Sequence, residues 1–261
     1  MTPMASTLGR RTAPLATSWL IVARRALLRF VRTPQLIVVG TVQMALFMLI
    51  YRYMFGGAID TGAIPYVDFL IPGFVTTGVL FTGIGTAVAM AQDLEEGFVD
   101  RLRSLPIPRS AVLAARAIAD TAILAWSLGF TVAIGFAVGF ELHGTALQGL
   151  AAFGLVVLFG YAFEWLFIAL GMFAGTAQAA QGMGMLVFPF AFISSAYVPV
   201  STMPSWLQAF AEHQPLTYMV DAVRSLTLGH PSSSAITSAL LWTAAIIAVF
   251  APLAVAKYRR G

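Results

Sequence analysis

The sequence contains no cysteine and little charge. The absence of cysteine excludes disulfide bonds and thiolate metal ligands. Charged residues make up 10% of the 261 residues and hydrophobic residues 59%, whereas a soluble domain carries roughly a quarter charged residues. The charge is missing mainly from segments of about 20 residues, which is the length of a helix that crosses a bilayer. The composition therefore predicts an all-α, polytopic membrane protein.

Lysine and histidine are also scarce, and their positions argue against several kinds of enzyme. The only lysine is Lys257, so the sequence has no glycine-rich loop followed by lysine that could hold the phosphates of ATP. His143, His213 and His230 all lie outside the apolar segments, which disfavours an intramembrane zinc protease or a haem-carrying subunit. We therefore expect neither catalytic residues nor a metal site in this chain.

Six apolar segments are predicted to cross the membrane. The first carries Arg52 in its last turn, where a long side chain can reach the headgroups. The second has no charge and several glycines, which allow close helix packing in lipid. The fifth is short and contains Pro189. The predicted spans are residues 35–55, 69–91, 111–140, 146–175, 183–198 and 235–256.

The segment before the first span is predicted to be an amphipathic helix at the membrane interface. Residues 1–15 form a polar tail, and residues 16–261 a single transmembrane domain. At 100° per residue, the four arginines between Arg24 and Arg32 share one face of a helix over 16–32, and Trp19 lies opposite. A signal peptide is the alternative, disfavoured because no small-residue cleavage site precedes the arginine-rich face.

A stretch between the fifth and sixth spans is too polar and too rich in proline to cross the bilayer. We expect two short helices there, over 204–213 and 216–228, with Gly229 closing the second. Non-helical backbone is tolerated at membrane depth only where protein or water covers it. The pair over 204–228 is therefore predicted to be an extracytoplasmic helical hairpin.

The basic residues indicate the orientation. With both termini in the cytosol, thirteen of the fifteen Lys and Arg residues are inside, and only Arg52 and Arg224 are outside. This bias follows the positive-inside rule. The net charge of +4 thus belongs to the membrane flanks, and we expect no nucleic-acid partner.

The loop between the second and third spans has a pattern typical of a docking helix. Apolar residues recur at helical spacing from Leu94 through Phe98 and Leu102 to Leu105, and Pro106 ends the run. Such a stripe needs a surface to cover it; the alternative is a solvated connector. Acidic residues come early and basic residues late, which suits the helix dipole: Glu95, Glu96 and Asp100, then Arg101 and Arg103.

Glu164 is the one acidic residue near the middle of a predicted span. Such a group costs roughly 2.5–3.5 kcal/mol on insertion scales and faces protein or water. It either contacts substrate and couples helices or is a passive hydrogen-bond partner. A proton-coupled secondary transporter using Glu164 is the alternative function, although the internal repeats typical of such folds are not evident.

Three motifs resemble the type-2 permeases of ATP-binding-cassette exporters, in the daunorubicin-resistance branch. They are the loop from Glu95 to Arg109, the run Val198-Pro-Val-Ser-Thr-Met-Pro-Ser-Trp-Leu207, and the run Gln214-Pro-Leu-Thr-Tyr-Met-Val-Asp-Ala-Val-Arg224 followed by Leu228-Gly229. Gln214 departs from the asparagine frequent in that branch. The resemblance covers essentially the whole chain.

The resemblance implies a permease in the bacterial plasma membrane that exports a hydrophobic or amphipathic substrate, such as a drug, lipid or glycolipid. Its partners would be a cytosolic ATPase that holds ATP and Mg, and a second permease, identical or paralogous. Helix 16–32 would be the interfacial elbow and 204–228 would cap the path. The coupling helix would be 93–105, with ATPase contacts from Leu94, Glu95, Glu96, Gly97, Phe98, Arg101 and Leu102.

Overall fold

The computed structural model describes residues 34–62, 64–99 and 109–260. Within these ranges the ordered elements are helices and no strand occurs, which confirms the all-α prediction. In chain order they are α1 (Pro34–Ile50, continued by the π-helical turn Tyr51–Phe55), α2 (Tyr66–Glu95), α3 (Arg109–Ala137), α4 (Ala146–Ala174), α5 (Ala177–Gly184), α6 (Val187–Phe192), the 3-10 turn Val200–Thr202, α7 (Ser205–Ala211), α8 (Pro215–Thr227) and α9 (Ser233–Arg260).

Among the described helices, four are long and apolar enough to cross a membrane: α2, α3, α4 and α9. The 30 residues of α2 extend about 45 Å, so this helix continues past both ends of the predicted second span. The described apolar part of α1 is shorter, at Val42–Phe55. The predicted tail 1–15 and interfacial helix 16–32 lie outside the described residues. A count of six spans stays a prediction.

The predicted fifth span, 183–198, is not a single helix. Its residues belong to α5 and α6, and the chain from Ile193 to Pro199 is not helical. Pro189 has no N–H to donate to the carbonyl of Met185, and its ring crowds that carbonyl, so the helix breaks one turn before it. The apolar run predicts an apolar segment here, and Pro189 explains why that segment is not one helix.

Local signals explain where several helices begin and end. Thr145 and Gln148 form a capping box at the start of α4, in which each side chain hydrogen-bonds the other residue's backbone N–H. Gly175, with a φ of 76°, ends that helix in the left-handed conformation. Pro215 occupies the first turn of α8, where its missing N–H is not needed.

The centre of the bundle is the contact between α2 and α4. Both helices are largely buried, and their backbones approach closely because glycines face the partner helix. A Cβ atom at Gly83 would overlap the ring of Phe167, and one at Gly171 would overlap the carbonyl of Ala87. This close approach is how helices pack in lipid, where no hydrophobic force drives their association.

The other elements surround this pair. α9 packs along α4, while α8 touches α2, α4 and α9. α1 is joined to the bundle by aromatic rings, with Tyr51 stacked on Tyr197 at a centroid distance of 4.8 Å. The Tyr197 hydroxyl forms a 2.8 Å hydrogen bond with that of Thr77 on α2.

The non-helical chain after α6 is held by one polar face of α8. The Gln214 side-chain amide donates to the carbonyl of Ile193. The N–H of Ser195 donates to the Thr217 hydroxyl oxygen (3.4 Å), and the Ser195 hydroxyl donates to Asp221 Oδ1 (2.7 Å). The three α8-side residues are three and four positions apart, so they share one face of the helix.

Arg224 continues this face by one further turn and is buried. Its Nη2 donates to the carbonyls of Ser195 (2.7 Å) and Phe69 (3.1 Å), and its Nη1 donates to Asp221 (3.1 Å). The guanidinium carbon lies 3.7 Å from the centre of the Phe69 ring, a cation–π contact. Burial lowers the pKa of Arg224 to about 10, with Asp221 acting in the opposite direction, so the group is charged at neutral pH.

Arg224→Gln is expected to destabilise the bundle, because carbonyls of two segments and the Asp221 carboxylate lose their shared donor. The loss should be on the order of 3 kcal/mol, as for removing one partner of a buried charge pair. Arg224→Lys keeps the charge without the planar fork, so its stability should lie between those of the wild type and Arg224→Gln. Unfolding in mixed micelles measures this; an unchanged Arg224→Gln midpoint would contradict the bridging role.

Candidate functional site

The base of α2 carries the first residues of the predicted coupling helix. Asp93, Leu94 and Glu95 are the last residues of α2, and the chain turns at Gly97. Gly97 has a φ of 66°, a left-handed conformation that favours glycine, and its N–H donates to the Leu94 carbonyl at 3.1 Å. The helix is therefore interrupted between Leu94 and Phe98, so the prediction that helix 93–105 is continuous from its start is wrong.

The chain resumes a helical conformation at Phe98 and Val99, and Val99 packs into the interior of the bundle. Val99 is 3% exposed and Phe98 is half-buried. Val99 belongs to a group of buried apolar residues, which we call the basal cluster, and Leu94 packs against this group. It comprises Met90, Val99, Leu113, Ala117, Trp165, Ile168, Ala169, Met172, Ala254 and Tyr258.

Two carboxylates at the base of α2 connect it to neighbouring helices. Asp93 forms an ion pair with Arg116 of α3, and Arg116 Nε also lies 3.4 Å from Asp120 Oδ2. Arg116 and Asp120 are four positions apart, so their side chains share one face of α3. Glu95 Oε2 accepts a 3.0 Å hydrogen bond from the N–H of Ala177, the first residue of α5.

The candidate coupling residues therefore occupy different environments. Leu94 contacts the basal cluster, Glu95 holds the start of α5, and Gly97 makes the turn, while Glu96 is exposed at the end of the helix. Arg101 and Leu102 lie outside the described residues, as does the rest of the predicted helix 93–105 beyond Val99.

Glu164 lies on α4 between the main core and the basal cluster. It is 1% exposed. The polar and charged side chains near its carboxyl group are those of Thr86 on α2 and of Arg116 and Asp120 on α3. Its Oε2 is buried without a hydrogen-bond partner in the described part of the chain. A buried oxygen without a partner costs about 1–3 kcal/mol.

In the described ranges, no three histidine or carboxylate side chains converge as potential metal ligands. What the base of the bundle provides is an apolar anchor, two carboxylates that connect helices, and a buried carboxyl group above them. These groups can pack against apolar surfaces, form ion pairs and form hydrogen bonds.

Sequence reasoning missed two features of this arrangement. The bond from Ala177 to Glu95 joins residues 82 positions apart, and no local pattern indicates it. The polar face of α8 is visible in the sequence as Gln214, Thr217 and Asp221 at helical spacing, but the spacing does not show which segment this face bonds.

Comparison with known proteins agrees with this architecture. The sequence profile of the family described as ABC-2 type transporter matches residues 17–228. The daunorubicin resistance ABC transporter permease protein DrrB1 of Streptomyces coeruleorubidus is 32% identical over 236 residues, which cover 90% of this chain and 83% of that protein.

More distant relatives carry related names. The probable doxorubicin resistance ABC transporter permease protein DrrC of Mycobacterium tuberculosis is 26% identical over 247 residues, covering 92% of this chain and 88% of that protein. The probable multidrug ABC transporter permease YbhR of Escherichia coli is 25% identical over 201 residues, which cover 75% of this chain and 53% of that protein. With a family profile that spans most of its length and a bundle of long apolar helices, this chain belongs to the ABC-2 type transporter family.

Proposed function

We propose that this permease moves a hydrophobic or amphipathic molecule, such as a drug, lipid or glycolipid, out of the cytosol. Family membership supports export, and the names of two relatives include resistance to the hydrophobic drugs daunorubicin and doxorubicin. A separate cytosolic ATPase holds ATP and Mg and supplies the energy, because the single lysine, Lys257, leaves no phosphate-binding loop in this sequence. A second permease, identical or paralogous, completes the translocation path.

The ATPase docks on the loop that follows α2. The observation that carries this proposal is the anchoring of the loop, since Val99 and Leu94 pack into the basal cluster while Asp93 and Glu95 connect to α3 and α5. A load applied to the loop therefore reaches two further helices directly. The ATPase contacts are Leu94, Glu95, Glu96, Gly97, Phe98, Arg101 and Leu102.

The proposed membrane arrangement has six spans with both termini in the cytosol. It places the base of α2 and Lys257 inside, and α7 and α8 as the extracytoplasmic hairpin. Its support is the distribution of basic residues, with thirteen inside and two outside. The segment α5–α6 serves as the fifth span together with the non-helical chain that α8 covers.

Topology can be tested with two cysteines, because the native chain has none. Cysteines introduced singly at Ser6 and Ser232 are expected to react with a membrane-impermeant maleimide from opposite sides of the membrane. Labelling is measured in intact cells and in inverted vesicles, and detergent-solubilised protein is the control for reactivity. If both positions label from the same side, the six-span arrangement is wrong.

Glu164 is expected to contribute to transport through its charge or its polar contacts and not only through the volume of its side chain. Glu164→Ala should then lower transport more than Glu164→Gln at equal expression, because glutamine keeps the volume and a side-chain oxygen that can accept a hydrogen bond. Thermal unfolding of the purified variants provides the control, since a passive partner would change stability without changing transport per folded molecule. Normal transport by both variants would contradict a functional role.

Phe98→Ala is expected to weaken ATPase binding and uncouple hydrolysis from transport while the bundle stays folded. Truncating a buried interface aromatic costs on the order of 2–4 kcal/mol, which is about 30- to 1000-fold in affinity. Co-purification of the ATPase and substrate-stimulated hydrolysis measure this. Reversing the charge of Arg101 should have a smaller, salt-dependent effect.

Phe130→Ala is the matched control for this experiment. Phe130 is an aromatic residue of α3 that is 47% exposed on the surface of the bundle, so its truncation removes the same side chain away from the loop. It is expected to leave ATPase binding unchanged. Full ATPase binding and full transport by Phe98→Ala would show that the loop is only a connector.

A further inference from the structure

A polar cavity lies at the end of the bundle opposite the basal cluster. It has a volume of about 420 Å³, within the range of small-molecule sites. It is bounded by the last turn of α1, the first turn of α2 and the connection between α3 and α4. The residues used below are Arg52, Tyr53, Asp68, Glu141 and His143.

One wall of the cavity is fixed by Asp68, which is 2% exposed. Its Oδ1 accepts the N–H of Glu141 at 2.9 Å, and its Oδ2 lies 2.8 Å from Nε2 of His143. The N–H of His143 donates in turn to the carbonyl of Thr227 at the end of α8 (3.0 Å). Both carboxylate oxygens of Asp68 are thus engaged within the protein, and the connection between α3 and α4 is positioned by α2 and α8.

Arg52 presents a cation to this cavity. In the described ranges it has no carboxylate within 4.0 Å, and its buried Nε has no hydrogen-bond partner. Its Nη2 lies beside Gly139, where an added Cβ would be 3.2 Å away, and its guanidinium carbon is 5.6 Å from the centre of the Tyr53 ring. A guanidinium fork with free donors suits a phosphate group.

Glu141 supplies the opposite charge on the same cavity. Its backbone N–H is held by Asp68, and its side chain is exposed. Tyr53 lines the same cavity and is 72% exposed, and an aromatic face can attract an ammonium group. A single anion would be repelled by Glu141 and a single cation by Arg52, so the charges fit a ligand that carries both signs.

The depth of the cavity indicates where this ligand comes from. Arg52 stands at the end of an apolar helix, the level at which arginine side chains reach the headgroups. We propose that the cavity binds the headgroup of a zwitterionic phospholipid, with its phosphate on Arg52 and its ammonium group on Glu141. The inference rests on the proposed membrane arrangement, in which α1 ends at the headgroups, and it is independent of the ATPase.

The test measures lipid retained by the purified full chain. After delipidation in detergent, the protein is incubated with mixed micelles containing equal amounts of phosphatidylethanolamine and phosphatidylglycerol, and bound lipid is counted by native mass spectrometry. The wild type is expected to retain phosphatidylethanolamine preferentially. Arg52→Gln should reduce retention of both lipids by about tenfold or more, because the phosphate loses a charge-assisted hydrogen bond.

Two further variants separate the parts of the proposal. Glu141→Gln removes the contact for the ammonium group but keeps Arg52, so the preference between the two lipids should fall to about one. It is an exposed substitution and remains informative if Arg52→Gln fails to fold. Lys257→Gln removes an exposed cation at the opposite end of the bundle and should change nothing.

Soluble glycerophosphoethanolamine distinguishes the lipid from its headgroup. Displacement of bound lipid by this compound supports a site that recognises the headgroup alone, and lack of displacement supports a site that takes the intact lipid. The proposal is overturned if the wild type shows no preference, or if Arg52→Gln and Glu141→Gln both retain lipid as the wild type does.

Discussion

The chain leaves its helical hydrogen-bond ladder after α6, and the backbone groups exposed there must be satisfied inside an apolar bundle. An unpaired backbone group in lipid costs several kcal/mol. The polar face of α8 meets this requirement for Ile193 and Ser195, and Arg224 extends it to the carbonyl of Phe69 on α2. The position of α8 is therefore fixed by hydrogen bonds, and the elements that pack on α8 depend on them.

The same helix is one of the elements that link the two ends of the protein. Its C-terminal carbonyl at Thr227 holds the connection between α3 and α4, which forms one wall of the polar cavity. Its polar face holds the chain that follows α6, and α5–α6 begins at the hydrogen bond between Ala177 and Glu95. A continuous series of bonded elements thus runs from the base of α2 to the opposite end of the bundle.

Much of this fold follows from the sequence because its signals are local. Long apolar runs indicated the helices that became α2, α3, α4 and α9, and Gly229, with a φ of 80°, follows α8 as expected. The interruption at Gly97 was not predicted because the spacing of apolar residues continued across it. A left-handed turn depends on how the chain is anchored afterwards, here by Val99 in the basal cluster.

The functional contacts were harder to predict, since they join distant residues. Glu164 was recognised from its position in an apolar run, and the structure shows that it is buried. The contacts of Glu95 with Ala177, of Asp68 with Glu141 and of Arg224 with Phe69 could not be inferred, because each crosses more than 70 positions of the chain. Sequence spacing identifies the face on which a side chain lies, and only the packing of helices identifies what it meets.

The glycines between α2 and α4 restrict how the permease can change shape. At Gly83 and Gly171 the side chain or backbone of one helix occupies the space of a missing side chain on the other. If α4 slid along α2 by a turn, Phe167 would face a residue with a side chain instead of Gly83, and the backbones would be forced apart. We therefore expect the two helices to move together, so that a path opens by displacement of the helices around them.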